Sequence, residues 1–293
     1  MTTIAVAKEK RVNIITRIRL EKLPLVAIVI LVFMLITAIF SDVITPHSPY
    51  EPNLPNRLRP PSWQPGGSQE HFLGTDTLGR DLLTRIFYGA RVSLTVAVAV
   101  MAFGGMLGLT LGVIAGYTGG ITGGVIMRTA DSFMAIPSML LALVFAITLG
   151  PSMQTIILAL SVNIWARIAR VVYGEVLSVT TRDFILQAKV AGCSTRRIMA
   201  LHIFPNVFNT FMVVISLQLG EVVLSEASLS FLEAGIPPPT PSWGQMVSEG
   251  RGYITSAWWI AFFPGLALAL CVFALNRFGD WLRDRLDPRL RQL

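Results

Sequence analysis

Three acidic residues, Asp131, Glu221 and Glu226, lie within or close to long apolar runs and are the first candidates for chemistry. A charge at membrane depth is costly, so such residues often have a function. A carboxylate at Glu226, late in its run, could receive a positively charged amine. The structural alternative is a carboxylate at the water interface or one hydrogen-bonded to a neighbouring helix. For Asp131 the alternative is an ion pair with nearby Arg128.

The other residue types that do chemistry are sparse. Cys193 lies in a polar segment and Cys271 in an apolar run, and neither has the CxxC spacing of a metal or redox site. His47, His71 and His202 are far apart in the sequence and predict no metal cluster. A phosphate-binding loop of the GxxxxGK type is also absent from the sequence. The sequence therefore predicts no catalytic, cofactor-binding or metal-binding residue.

A polar segment rich in arginine, residues 181–206, is set between two long apolar runs, and we call it the polar hairpin. Gly192 lies where a first short helix would end, because glycine takes the left-handed C-terminal conformation at low cost. Ser194 can cap a second short helix over residues 195–203. Pro205 opens the next apolar run near its first turn. The pattern predicts a rigid bracket that a soluble partner could grip.

The composition indicates a polytopic α-helical membrane protein. Of the 293 residues, 53% are hydrophobic and 14% are charged, whereas a soluble domain averages about 25% charged residues. The period-two alternation of a membrane β-barrel is not found. The net charge of +7 reflects basic residues at the ends of apolar runs, which is a topological signal. These basic residues form no patch interleaved with aromatic residues, so they do not indicate nucleic-acid binding.

Six apolar runs predict an all-α protein with six transmembrane helices. They cover about residues 23–45, 92–117, 125–149, 153–172, 207–229 and 255–276. The predicted parts are a cytoplasmic segment 1–22, the first transmembrane helix 23–45, an outer segment 46–91, a five-helix core 92–280 that includes the polar hairpin, and a basic cytoplasmic tail 281–293. The first run could also be a signal peptide, but the residues after it lack a small-x-small cleavage pattern.

The positive-inside rule places both termini and the polar hairpin in the cytoplasm. Arg80, Arg85 and Arg91 fall outside and count against this orientation, although Asp76 and Asp81 partly offset them.

Several finer features are predicted around this core. The outer segment is expected to carry an amphipathic helix over residues 77–89 with Asp76 as its cap. Glycines 104, 108 and 112 form a stripe for close packing with a helix, most simply one of the same chain. The three tryptophans 243, 258 and 259 are expected to form an aromatic belt. The proline-rich stretch 236–244 is expected to be a stiff lid or docking edge.

The polar hairpin resembles the EAA loop of ABC importer membrane subunits. That pattern runs Glu-Ala-Ala, three residues, Gly, nine residues and Ile-x-Leu-Pro. Leu186, Gln187 and Ala188 stand at the EAA positions and Gly192 at the glycine. The closing positions hold His202, Ile203, Phe204 and Pro205. The spacing fits, while two of the first three residue types differ. The resemblance implies that this loop docks into a cleft of the ATP-hydrolysing subunit, through Gln187, Ala188, Ala191, Gly192, Ser194, Arg196, Arg197 and Pro205.

A second resemblance extends over nearly the whole chain. Residues 72–81 (FLGTDTLGRD), 89–93 (GARVS), 135–138 (AIPS), 228–232 (SLSFL), 237–244 and 279–288 (GDWLRDRLDP) are similar to the permease C subunits of dipeptide/oligopeptide importers. Glu233 and Ala234 replace the Gly-Leu that usually follows Phe-Leu.

This resemblance implies a type I importer core with a MetI-like fold in a bacterial inner membrane. It implies a second permease subunit, two ABC ATPase subunits that bind ATP and Mg²⁺, an external substrate-binding protein and surrounding lipid as partners. The candidate residues of the translocation path are Glu226 and Glu221. Alternatives left open are the same machinery carrying nickel, a metal–chelator complex, glutathione or another small solute. An ion-driven carrier and an intramembrane enzyme lack their expected residue clusters.

Overall fold

The computed structural model describes residues 23–286, and these fold as a helical bundle. The predicted segment 1–22 and residues 287–293 of the predicted tail lie outside the described residues. The α-helices are α1 (Leu25–Ile44), α2 (Leu82–Val100), α3 (Met106–Thr118), α4 (Gly120–Ala135), α5 (Ser138–Leu149), α6 (Met153–Thr180), α7 (Asp183–Val190), α8 (Thr195–Ile198), α9 (Phe204–Phe231), α10 (Trp243–Arg251) and α11 (Trp259–Leu286). Wider π-helical turns at Met101–Gly105 and Met199–Ile203 join α2 to α3 and α8 to α9.

Within residues 23–286, five helical stretches are long and apolar enough to cross a membrane. They are Leu25–Ile44, Leu82–Thr118, Met153–Thr180, Thr195–Phe231 and Trp259–Leu286. The predicted third span is instead a bent pair, α4 and α5, with an angle of 85° between them. The bend falls at Ile136-Pro137, where proline cannot continue the hydrogen-bond ladder of α4.

The packing of α3 on α6 indicates that the bent pair makes one crossing. Gly104 approaches Ser161, Gly108 approaches Trp165, and Gly112 approaches Ala169. The numbers of the contacting residues increase in the same direction along both helices, so α3 and α6 run parallel. The chain must return across the bundle between them, and α4 with α5 is the only segment that connects the two. We therefore count six crossings in residues 23–286.

The glycine stripe packs within the chain, as predicted. A Cβ at Gly108 would lie 2.6 Å from the carbonyl oxygen of Trp165, and one at Gly112 would lie 2.8 Å from that of Ala169. Only a hydrogen fits where the two backbones approach so closely. The stripe thus fixes α3 against α6, the helix that leads into the polar hairpin.

The predicted helix over residues 77–89 is wrong in its start and in its cap. The helix begins at Leu82 and continues into the second span, while residues 77–80 form a turn. Asp81 is the N-cap, and its carboxylate accepts a hydrogen bond of 2.8 Å from the backbone amide of Thr84. Asp76 is fully buried and binds arginines instead.

Asp76 is the centre of a buried ionic network between the outer segment, α2 and α10. Its Oδ2 accepts from Nε of Arg80 at 2.7 Å and from Nη1 of Arg85. Arg85 Nη1 also donates to Glu249 of α10 at 2.8 Å. Arg91 pairs separately with Asp42 of α1 at the surface, at 2.8 Å. These arginines are therefore held by acidic partners, which explains why they are tolerated on this side of the bundle.

Two of the three tryptophans are buried anchors and not part of a surface belt, so this prediction is wrong. The indole of Trp243 donates to the backbone oxygen of Ile86 at 2.9 Å. The indole of Trp259 donates to the backbone oxygen of Thr75 at 3.1 Å. Both side chains are almost fully buried. They fasten the outer segment and α2 to the α10–α11 region.

Glu233 follows the C-terminus of α9 in a left-handed conformation, with φ of +62°. The amide of Glu233 donates to Ser230, and the amide of Ala234 donates to Leu229, as in a Schellman cap. Glycine is the residue that adopts this backbone without strain. The Gly-to-Glu departure seen in the sequence therefore falls where a side chain is least favourable.

We expect Glu233→Gly to raise the free energy of unfolding by about 1 kcal/mol, because it removes the cost of a Cβ in the left-handed region. Thermal unfolding of the purified chain measures the change. Glu233→Ala is the matched control: it deletes the same carboxylate but keeps the Cβ. An equal gain in both variants would show that the charge, and not the backbone, is the destabilising feature.

Candidate functional site

The polar hairpin has the predicted bracket shape. The first arm, α7, ends in a Schellman cap in which the amide of Gly192 donates to Lys189 and the amide of Cys193 donates to Ala188, both at 3.0 Å. Gly192 has φ of +75°, the conformation for which glycine is suited. Ser194 occupies the N-cap of α8, but within the described residues its hydroxyl makes no capping hydrogen bond.

The second arm of the hairpin merges with the following span. The helix α8 ends at Ile198 and not at Ile203, and the π-helical turns Met199–Ile203 carry it into α9. Pro205 lies in the first turn of α9, as predicted. The bracket is therefore joined to α6 by the short link Thr181-Arg182 and to α9 without a break.

An apolar inner face anchors the hairpin to the bundle. Ile185, Ile198 and Ile203 are 0–1% exposed, and Ala188 is 9% exposed. All four belong to the main hydrophobic core of the chain. Ala191 is exposed, so the inner face of α7 carries Ile185 and Ala188 but not Ala191. The register is set by Ile185, whose spacing of three to Ala188 is the sequence signal for this inner face.

The outer face of the hairpin presents most of the predicted coupling residues. Gln187, Ala191, Gly192, Ser194, Arg196, Arg197 and Pro205 are all exposed. Ala188 alone among the predicted coupling residues is buried. Its side chain therefore positions the hairpin and does not offer a contact.

Two exposed apolar residues of the first arm, α7, are not among the predicted coupling residues. Val190 is 90% exposed and Leu186 is 51% exposed. They lie four residues apart on α7 and so share one face of this helix. The signal was their i, i+4 spacing opposite Ile185 and Ala188. An isolated exposed valine is ordinary, but this pair lies on a hairpin whose inner face is anchored in the hydrophobic core.

Two ion pairs tie α6 to its neighbours above the hairpin. Arg167 of α6 donates to Glu221 of α9, and Arg170 of α6 pairs with Asp131 of α4. The prediction that Asp131 pairs with Arg128 is therefore wrong. All four side chains are between 32% and 53% exposed. Arg167 precedes the end of α6 by a distance on the order of 20 Å along the helix.

Glu221 also lines a cleft of about 210 Å³ between α5, α6 and α9. Ser225 and Ser228 follow it on the same face of α9, and Ser138 faces them from the start of α5. The cleft thus combines one carboxylate with three hydroxyls on a partly open face of the chain.

Glu226 lies in the interior and not on an open face. It is 0% exposed, and its carboxylate accepts from Ser93 of α2 at 2.9 Å and from Ser230 at 2.8 Å. This arrangement favours the structural alternative over a role in a path. The carboxylate fastens α2 to α9.

We expect Glu226→Ala to destabilise the protein by about 1–3 kcal/mol, because two buried hydroxyls lose their partner. Thermal unfolding measures this effect. Glu226→Gln is the conservative control and should keep most of the stability. A change in the preference for charged solutes, with stability unaltered, would contradict the structural role.

The structure brings together two histidines that the sequence reasoning treated as unconnected. The rings of His47 and His71 lie 4.9 Å apart between centroids. Asp81 joins them, and one potential metal-ligand atom from each residue lies within 4.8 Å of the other two. The separation of His47 and His71 in the sequence therefore does not keep them apart in the fold. His202 lies apart from them, beside Phe184 in the hairpin.

The architecture and the hairpin match those of a known family. The family model described as "Binding-protein-dependent transport system inner membrane component" matches residues 108–292. The model described as "N-terminal TM domain of oligopeptide transport permease C" matches residues 13–61.

Named relatives extend this similarity to almost the full length. The chain is 46% identical to the dipeptide transport system permease protein DppC of Escherichia coli K12, over 93% of this chain and 91% of the relative. It is 36% identical to the di/tripeptide permease DppC of Pseudomonas aeruginosa (89% and 87% covered). It is also 36% identical to the oligopeptide permease OppC of Bacillus subtilis (94% and 88% covered).

A solved structure has the same fold. A crystal form of the MetNI methionine ABC transporter in an inward-facing conformation superposes with a TM-score of 0.56 at 20% identity, over 70% of this chain and 96% of the other. This likeness supports the MetI-like core predicted from the sequence. The chain belongs to the binding-protein-dependent inner-membrane transport components, as a multi-pass permease subunit of an ABC importer of the dipeptide and oligopeptide permease C type.

Proposed function

We propose that this chain forms half of the translocation path for dipeptides or short oligopeptides, and that the polar hairpin receives the mechanical work of ATPase subunits. The hairpin carries the proposal: it is anchored by buried isoleucines, presents an exposed apolar and basic surface, and is joined directly to two spans. The named relatives transport dipeptides, di/tripeptides and oligopeptides, which supports peptides as the solute.

The proposed assembly has several further parts. A second permease subunit faces the partly open side of α6 and α9, and two ABC ATPase subunits bind ATP and Mg²⁺ below the hairpins. An external substrate-binding protein delivers the peptide on the opposite side. In this arrangement the hairpin, the N-terminal end of α1 and the C-terminal end of α11 lie in the cytoplasm. This chain then binds and guides solute and conducts movement, without breaking or forming bonds.

Movement passes from the hairpin to the path through rigid connections. A push on α7 and α8 acts on α6 through a two-residue link and on α9 through continuous helix. The Arg167–Glu221 pair holds these two helices together within the membrane. Close packing of α3 along the glycine stripe makes α3 move with α6. The spans therefore shift as a unit, as alternating access requires.

The cleft beside Glu221 is the proposed contribution of this chain to the path. Its hydroxyls can bond peptide amides and carbonyls, and its carboxylate can attract a peptide N-terminus while Arg167 limits the net charge. Such a cleft suits peptides with varied side chains, because its polar groups bind the peptide backbone and N-terminus.

Reconstitution tests the proposal. The chain, its partner permease, the ATPases and the binding protein are placed in proteoliposomes, and uptake of a radiolabelled dipeptide is followed. We expect uptake only with ATP on the ATPase side and binding protein on the other. Uptake by this chain without ATPase, or uptake driven by an ion gradient, would contradict the proposal. A control without binding protein separates delivery from leakage.

A further inference from the structure

We propose that His47, His71 and Asp81 form a binding site for one divalent transition-metal ion such as Zn²⁺. His47 follows α1, His71 lies in the turn before Gly74, and Asp81 caps α2. The ion would therefore tie the beginning of the outer segment to its end. This site is separate from the polar hairpin and from the cleft beside Glu221. Metal binding there would be a property of the chain beyond its proposed role in transport.

The three donor groups are already gathered. One potential ligand atom from each residue lies within 4.8 Å of the other two. With metal–ligand bonds of about 2.0–2.2 Å, neighbouring ligand atoms in a zinc site are about 3.0–3.5 Å apart. The contact of 3.0 Å between His71 Nδ1 and Asp81 Oδ1 already has this length. Closing the site thus needs a small rotation of His47, the most exposed of the three.

Hydrogen bonds hold both imidazoles in an orientation suited to a metal. His47 Nε2 lies 3.0 Å from the backbone oxygen of Glu70, which can only accept, so Nε2 carries the proton. A neutral His47 then keeps the lone pair on Nδ1. His71 directs Nδ1 at Asp81 Oδ1, and an ion held between these two atoms would replace the proton that they share. Metal-binding histidines are typically fixed by donating their other N–H to a carbonyl or carboxylate.

The surroundings give an ion access from one side. A cavity of about 240 Å³ is lined by His47, Asp81, Glu70 and Thr45, among others. The side chains of His71 and Asp81 are each 5% exposed, whereas His47 is half-buried at the rim. Asp81 is further fixed by the Thr84 amide, so two of the three ligands are rigid before the ion arrives.

The donor set selects the class of ion. Two imidazoles with one carboxylate suit Zn²⁺, Ni²⁺ or Cu²⁺, whereas Mg²⁺ and Ca²⁺ require oxygen ligands. Because an ion that binds only the folded state stabilises that state, occupancy should raise the thermal stability of the protein.

The test measures Zn²⁺ binding to the purified full chain in detergent, with the affinity tag removed. A Cys193→Ser background removes the accessible thiol, and Cys271 is fully buried. Competition with a chromophoric chelator gives stoichiometry and affinity. We expect one equivalent of Zn²⁺, no displacement by excess Mg²⁺, and a rise in unfolding temperature on binding. X-ray absorption should show nitrogen and oxygen ligands with imidazole scattering.

His47→Ala is the decisive variant, because His47 is at the rim and its loss leaves the Asp81 cap intact. We expect at least a tenfold loss of Zn²⁺ affinity and loss of the thermal shift. His202→Ala is the matched control, since it removes a histidine outside the cluster, and it should bind as the parent does. Absence of stoichiometric binding in the parent, or equal affinity in His47→Ala, would overturn the proposal.

Discussion

Asp76→Asn is expected to lower the free energy of unfolding by about 3–5 kcal/mol, because it leaves buried arginines without their central counter-charge. Asp76 is 0% exposed, Arg85 is 1% exposed and Arg80 is 4% exposed. The remaining acidic partner, Glu249, lies at the edge of the network. Thermal unfolding and the yield of folded protein in detergent measure the effect. The shape of the side chain is kept, so the loss reports the charge.

Asp42→Asn is the matched control for this prediction. It breaks the Asp42–Arg91 pair, in which the side chains are 62% and 37% exposed. Exposed pairs contribute little to stability, because water screens them and the free side chains are readily hydrated. Equal destabilisation by Asp76→Asn and Asp42→Asn would contradict the view that burial makes the Asp76 network essential.

Val190→Asp is expected to abolish stable association with the ATPase subunits. Val190 is 90% exposed on the hairpin, so the substitution should leave the fold intact. In the proposed complex, however, it would bury an unpaired carboxylate in an apolar contact, at a cost of about 2 kcal/mol or more. That cost corresponds to a loss of affinity of about thirtyfold. Co-purification with the ATPases and ATP-dependent peptide uptake measure the result.

The control places the same charge on an exposed apolar residue elsewhere. Leu54 of the outer segment is 63% exposed, and Leu54→Asp should leave co-purification unchanged. Thermal unfolding of both variants shows whether each is folded. If folded Val190→Asp retains the ATPases at full occupancy, the apolar face of α7 is not the docking surface.

Local signals in the sequence were sufficient to predict the hairpin. Gly192, Ser194 and Pro205 each specify the conformation of a few neighbouring residues, and the structure has the turn and the helix starts where these residues predict them. The exposed position of Val190 follows from the same helical period once the buried face is known. The inner face itself depends on tertiary contacts, which is why the sequence predicts a docking role for Ala188 although it is buried.

Contacts between distant segments could not be predicted from local spacing. Local spacing pairs Asp131 with Arg128, three residues away, whereas α4 packs on α6 and Arg170 of α6 is the partner in the structure. Asp76 and Asp81 both precede an apolar helical pattern, and only the burial of Asp76 among arginines decides which one caps α2. The meeting of His47 with His71 likewise depends on how the outer segment folds back.

Labelling of the hairpin with a membrane-impermeant maleimide tests the central claim most directly. The probe is Val190→Cys in a Cys193→Ser background, in which Cys271 remains buried. We expect the thiol to react with the maleimide in inside-out vesicles and not in right-side-out vesicles. Bound ATPase subunits should protect it from the reaction. Reaction from the outside, or undiminished reaction with the ATPases bound, would contradict the central claim.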